Sequence, residues 1–150
     1  MATEQLPVDS SLFFKLVRVV NLTARPFHEG VGKQHHLSIN EWRVMVVLAS
    51  HPGVSATDVA DSTGLDKMTV SRALAALARS DRLVREDDPA DLRKSRLFLS
   101  PAARRLFGKI GVQATRREAG LFSGLSASEL EGVNATLDKL IEALRHTDPG

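Results

Sequence analysis

The sequence contains no cysteine, which excludes disulfides, a thiolate nucleophile, a thiol redox switch and cysteine-ligated zinc. Long apolar runs are missing too. The longest, Val44 to Ala49, falls far short of the ~20 residues that cross a bilayer. Met1–Asp9 shows no basic leader followed by an apolar core, so the expectation is a protein of the reducing cytoplasm with no membrane partner. Also absent are a phosphate-binding glycine loop, Gly-x-Ser-x-Gly and His-Glu-x-x-His. Neither catalysis nor a cofactor is therefore expected.

What is present is 150 residues, 43% apolar and 25% charged, the profile of one soluble globular folding unit. The net charge of +2 conceals a segregation. Residues 1–65 carry 5 Lys/Arg against 6 Asp/Glu, residues 66–117 carry 13 against 6, and residues 118–150 carry 2 against 6. A basic middle between neutral and acidic ends suggests a face that attracts polyanions, because Lys and Arg displace the counterions around phosphates.

The periodicity is mostly helical. Asp9, Ser10 and Ser11 can cap a first helix, in which Phe13, Leu16, Val17, Val20, Ala24 and Phe27 recur at steps of three and four. Pro26 should kink or end it, with Gly30 and Gly32 opening a loop. Ser38–Glu41 is a capping box for a second helix to about Ala49, and Ser55–Asp58 is a similar start for a short third helix to about Ser62. After a Thr63-Gly64 turn, Asp66 can cap a fourth helix to about Ser80, burying Val70, Leu74 and Leu77 with Met68, Arg72, Ala75 and Arg79 opposite. Leu83–Arg85 and Arg96–Leu99 read as a hairpin with a polar tip between them. Ser100-Pro101 opens a fifth helix. Ser126–Glu129 opens a sixth, with Leu130, Val133, Leu137, Leu140 and Leu144 at coiled-coil-like spacing.

Two short helices joined by a glycine turn and followed by a hairpin describe a winged helix-turn-helix, whose second helix enters the major groove of duplex DNA. Here that helix begins at Asp66. Arg72 is the candidate base reader, because its planar fork can donate two hydrogen bonds to one guanine edge. Thr69 and Ser71 can reach phosphate or base, and Lys67 can reach phosphate. A helical protein-interaction module would account for the apolar stripes but leave the basic hairpin unexplained.

These residues resemble the MarR (multiple antibiotic resistance regulator) family of bacterial transcription factors over about residues 10–146. The likeness is strongest in Leu37–Val44, in Thr69–Leu74, and in Leu83-Val84-Arg85 followed by Asp91-Leu92-Arg93 and Leu97–Pro101. The resemblance implies a mainly helical fold with a small hairpin. Residues 1–36 would form a dimerisation helix and loop, 37–100 the winged helix-turn-helix, and 101–150 further dimerisation helices. It implies that Arg93 enters the minor groove with Asp91 orienting it, in keeping with the negative potential concentrated in a narrow groove. It also implies an obligate homodimer on a pseudo-palindromic operator, acting as a repressor that a small aromatic or phenolic acid releases. Two positions depart from the family pattern: Arg82 and Ala103 stand where glycines are usual. The first puts the end of the recognition helix in question.

The effector site implied by the resemblance lies in segments carrying His28, His35, His36, Trp42 and Arg43. An imidazole or guanidinium could pair with a carboxylate while the indole stacks on a ring. For the histidines the competing expectation is a solvated loop, and for Trp42 a place in the core. A metal-responsive regulator is a further alternative, although adjacent His35-His36 do not present two ligands on one helical face. Gly108, Gly111 and Gly120 are expected either to permit close helix approach or to be merely tolerated.

Overall fold

The computed structural model describes residues 7–147. Seven helices and one hairpin follow in order: α1 (Leu12–Glu29), α2 (Val31–His35), α3 (Ile39–Ser50), α4 (Ala56–Thr63), α5 (Lys67–Arg79), β1 (Leu83–Asp87), β2 (Ser95–Leu99), α6 (Pro101–Phe122) and α7 (Ala127–Arg145). They form two compact units that divide between Gly108 and Lys109.

In the first unit the helix starts are set by side-chain caps. Ser11 Oγ accepts from the Phe14 N–H at 3.3 Å and starts α1. Ser38 and Glu41 exchange two hydrogen bonds at the start of α3, as do Ser55 and Asp58 at the start of α4. The core consists of Val44, Met45 and Leu48 from α3, Val59 from α4, Val70, Leu74 and Leu77 from α5, and Leu97 and Leu99 from β2, all at most 5% exposed. Ala103, the second departure from the family pattern, is 1% exposed and belongs to this core. In the hairpin Leu83 faces Leu99, Arg85 faces Leu97 and Asp87 faces Ser95. The chain before α4 adds a short third edge, where Gly53 donates to Leu97 O (2.8 Å) and Leu97 donates to Val54 O (2.9 Å).

Three expectations need correction. Pro26 does not end α1; the helix continues to Glu29, because the N–H that proline lacks removes one bond in the last turn while Gly30 still donates to Pro26 O at 3.1 Å. Gly30 and Gly32 do not open a plain loop. Gly32 lies buried inside α2, where a Cβ would come within 2.8 Å of Leu37 O and 3.0 Å of Phe27 Cε1. The missing side chain lets the short helix pack against Phe27. The hairpin strands are also longer than their apolar cores, since ladder pairing continues through Glu86–Arg96 and Asp87–Ser95.

Arg82 does not disturb the end of α5. The left-handed residue is its neighbour Asp81 (φ 56°), a residue type that tolerates this conformation.

The second unit contains the later turns of α6 and all of α7, which opens on the Ser126/Glu129 capping box. No residue of α7 is buried, and Leu137 and Leu140 are each 40% exposed. In the first unit, α1 exposes a comparable apolar row that includes Phe13, Val17 and Val20. At Gly108, Gly111 and Gly120 a Cβ would meet nothing within 4 Å among the described residues.

Candidate nucleic-acid interface

Helix α5, the second helix of the helix-turn-helix, is fixed at its start by Asp66, whose carboxylate accepts from the Thr69 N–H and the Thr69 hydroxyl, both at 2.8 Å. The backbone donor, then the hydroxyl, hold the Asp66 carboxyl below the ordinary aspartate range. Thr69 is thus half-buried, with its hydroxyl proton committed to the cap rather than pointing outward. The preceding turn depends on Gly64, left-handed at φ 75°. Val70, Ala73, Leu74 and Leu77 face the core, so helical geometry turns Lys67, Met68, Ser71, Arg72 and Arg79 to the exposed side.

A cleft of about 230 Å³ joins this helix to its neighbours, lined by Thr57 of α4, Lys67, Ser71 and Leu74 of α5, and Arg85 of β1. Thr57 and Arg85 were not singled out from sequence. The signal for Arg85 was available, because strand alternation sends it to the face opposite Val84.

The wing tip is built by carboxylates. Asp88 Oδ1 accepts from the Ala90 N–H at 2.9 Å, and Asp91 Oδ1 accepts from the Arg93 N–H at 3.0 Å and from Arg93 Nε at 3.2 Å. These bonds, the backbone one foremost, depress the Asp91 carboxyl. The Arg93 side chain is 91% exposed while Asp91 is 30% exposed. At the start of α4, the Ser55 backbone and hydroxyl donors hold the Asp58 carboxyl down, and the positive charge of Lys94 adds to the effect. Arg96 lies over the Phe98 ring at 5.4 Å and against Gly53. Among the described residues the only ion pair of a lysine or arginine is Arg93–Asp91, and His146 Nε2 lies 2.7 Å from Glu142 Oε1. Lys67, Arg72 and Arg85 therefore have no carboxylate in contact there, whereas the charge of Lys94 is felt by Asp58 and Asp91.

The five candidate effector residues are not gathered in one place. Trp42 is half-buried and stacks on Phe107 (centroids 5.0 Å apart, 22° between planes), with Phe27 at 6.3 Å. His28 meets the same Phe27 edge to face at 6.2 Å. Arg43 donates to Asn40 Oδ1 at 3.3 Å. His35 and His36 stand at the end of α2, with His36 left-handed at φ 50°. None of the five lines the cleft beside α5, nor a second one of about 250 Å³ bordered by Leu48, Val84, Glu86, Phe98 and Arg104. No group of three or more metal-ligating side chains occurs among the described residues. No helix among them is long and apolar enough to cross a membrane.

Residues 35–94, from the end of α2 to the wing tip, match the sequence profile of the MarR family. Over that segment the chain is similar to the MarR family. No curated protein sequence matches it. Solved structures extend the MarR-type fold over nearly the whole chain. A MarR/EmrR-family regulator from Acinetobacter sp. ADP1 is 21% identical with a TM-score of 0.85, covering 95% of this chain and 100% of that one. PcaV of Streptomyces coelicolor, crystallised with its natural ligand, is 20% identical with a TM-score of 0.79 over 95% and 99% of the two chains. BpsR of Bordetella bronchiseptica, whose DNA binding is regulated by 6-hydroxynicotinic acid, is 22% identical with a TM-score of 0.75 over 96% and 99%.

Proposed function

We propose that the protein is a transcriptional regulator that binds a pseudo-palindromic DNA operator as a homodimer and is released by a small aromatic carboxylate. One observation carries the DNA-binding part: α5 and β1 expose Lys67, Arg72 and Arg85 with no carboxylate in ion-pair contact among the described residues. Cations spread in this way favour a polyanion, since each one that meets a phosphate releases condensed counterions. In this reading Arg72 and Ser71 address base edges, Lys67 the phosphates, and Arg93 the minor groove under the guidance of Asp91. Thr69 acts through the Asp66 cap.

The dimer is supported by the apolar faces of α1 and α7, which leave Phe13 71% and Leu144 71% exposed. Apolar rows of this length mark association surfaces in soluble proteins. The effector class follows the ligand-regulated neighbours. Within this chain the Phe27–Trp42–Phe107 cluster offers an aromatic platform, with His28 and Arg43 on the same helices as candidate carboxylate partners. His35 and His36 complete the candidate set. Titrating a labelled duplex at several salt concentrations tests the first part. Affinity should fall linearly in log–log form with several phosphates neutralised; no duplex binding at moderate salt would leave a protein-interaction role instead.

A further inference from the structure

The end of the recognition helix is a junction. The Asp81 N–H donates to Ala78 O (3.1 Å) and the Arg82 N–H to Leu77 O (2.8 Å), closing α5 in a Schellman turn around left-handed Asp81. The same two residues hold the start of α6. Ser100 N donates to Arg82 O at 3.0 Å, Ser100 Oγ donates to Asp81 O at 2.8 Å, and Ala103 N caps onto Ser100 Oγ at 3.1 Å. α2 ends in the same manner: Leu37 N donates to Gly32 O at 2.9 Å around left-handed His36.

One side chain joins the two turns. Arg82 Nη2 donates to His35 O at 2.7 Å, across 47 positions of sequence. Backbone and Asp81 already terminate α5, so the Arg82 side chain is not needed for that purpose. A glycine, which the family resemblance leads one to expect here, could not make the bond. Only one end of the fork is used, because Nη1 is buried with no hydrogen-bond partner among the described residues.

Resting on the DNA-binding reading above, we propose that Arg82 is a positioning residue for DNA recognition, tying the C-terminal turn of α5 to the end of α2. The bond makes the α2–α3 turn and the recognition helix move together. Displacement of the His35–His36 turn is thereby passed to the helix that faces the groove.

The test uses the full chain, a duplex enriched by the wild-type protein from a random pool, and the variants Arg82→Ala and Arg82→Lys. Arg82→Ala should weaken duplex binding about tenfold, the scale of one lost hydrogen bond to a charged group. Arg82→Lys should restore affinity to within about twofold, since an ammonium can replace the single bond in use. Amide exchange at Leu37 and at position 82 should accelerate together in the alanine variant and return together in the lysine variant. Wild-type affinity in Arg82→Ala well below its melting temperature, no rescue by lysine, or faster exchange at position 82 alone would overturn the proposal. If the wild-type protein enriches no sequence, the DNA-binding reading has itself failed and the proposal falls with it. Normal selectivity in both wild type and Arg82→Ala would defeat the proposal alone.

Discussion

Asp91 holds Arg93 at two points, its Oδ1 accepting from both the backbone N–H and Nε of the arginine, while the guanidinium stays almost fully in solvent. An exposed ion pair contributes little to stability. Its effect is to restrict where a charge points. Arg93→Ala should weaken binding most on operators with A/T-rich flanks, and exchanging those flanks for G/C should hurt wild type more than mutant. Asp91→Ala should produce a smaller loss of the same kind, because the charge remains but its direction is freed. Titrating each protein against both flanks checks this, and strictly additive losses would reduce the wing to general electrostatic attraction.

Arg72 lies on the exposed face of α5 without an ion-pair partner among the described residues. Arg72→Ala should cost about 1–3 kcal/mol of binding and relax the preference at one base pair per half-site. Lys67→Ala should instead weaken all sequences alike and lower the salt slope by about one. Binding-site selection with each variant separates the two roles.

Leu137 and Leu140 lie in the uncovered apolar row of α7. Leu137→Glu together with Leu140→Glu should give a monomer by sedimentation and abolish full-site binding. Retention of the dimer would place the association surface elsewhere.

The caps at Asp58, Asp66 and Asp91 share a pH signature, since each carboxyl is held below its ordinary value by the donors it accepts. The stabilisation is therefore complete above about pH 4, the unfolded aspartate value, and is lost as pH falls through the lower folded values. Asp66→Asn keeps an acceptor for the Thr69 N–H but cannot titrate. It should stay close to wild type at pH 7 and lose less melting temperature than wild type between pH 5 and about pH 3. Thermal melts across that range check the sign.

Gly64 adopts φ 75° in open space, so a methyl group there meets strain but no neighbour. Gly64→Ala should cost about 1–2 kcal/mol, read by denaturant midpoint. Gly32→Ala should cost a similar or larger amount for a different reason, because its Cβ would press on Leu37 O.

The parts legible in the sequence were those fixed by neighbouring residues. Ser38–Glu41, Ser55–Asp58 and Ser126–Glu129 are visible as capping boxes because both partners lie within one turn. The α5 stripe is similarly local, and the Asp91–Arg93 contact, which the family resemblance implies, spans only two positions. What escaped was tertiary. Gly32 reads as a loop residue until Phe27 and Leu37 close over it, and Pro26 reads as a terminator although one missing N–H does not end the helix there. Arg82 in place of a glycine puts helix termination in question, yet the left-handed conformation falls on Asp81 and the arginine reaches 47 positions back to His35. For Trp42 the sequence offers both an effector-site place and a core place, and only the fold shows the ring it stacks on, Phe107.

A homodimer on a pseudo-palindromic operator requires identical winged helices to read related half-sites. Selection of bound duplexes from a random pool at fixed, moderate salt tests this most directly. It should return an inverted repeat whose half-site centres lie about 10 base pairs apart, the spacing that brings two major-groove helices to one face of the DNA. A pool that stays random, or that yields single half-sites bound as tightly as the repeat, would contradict it.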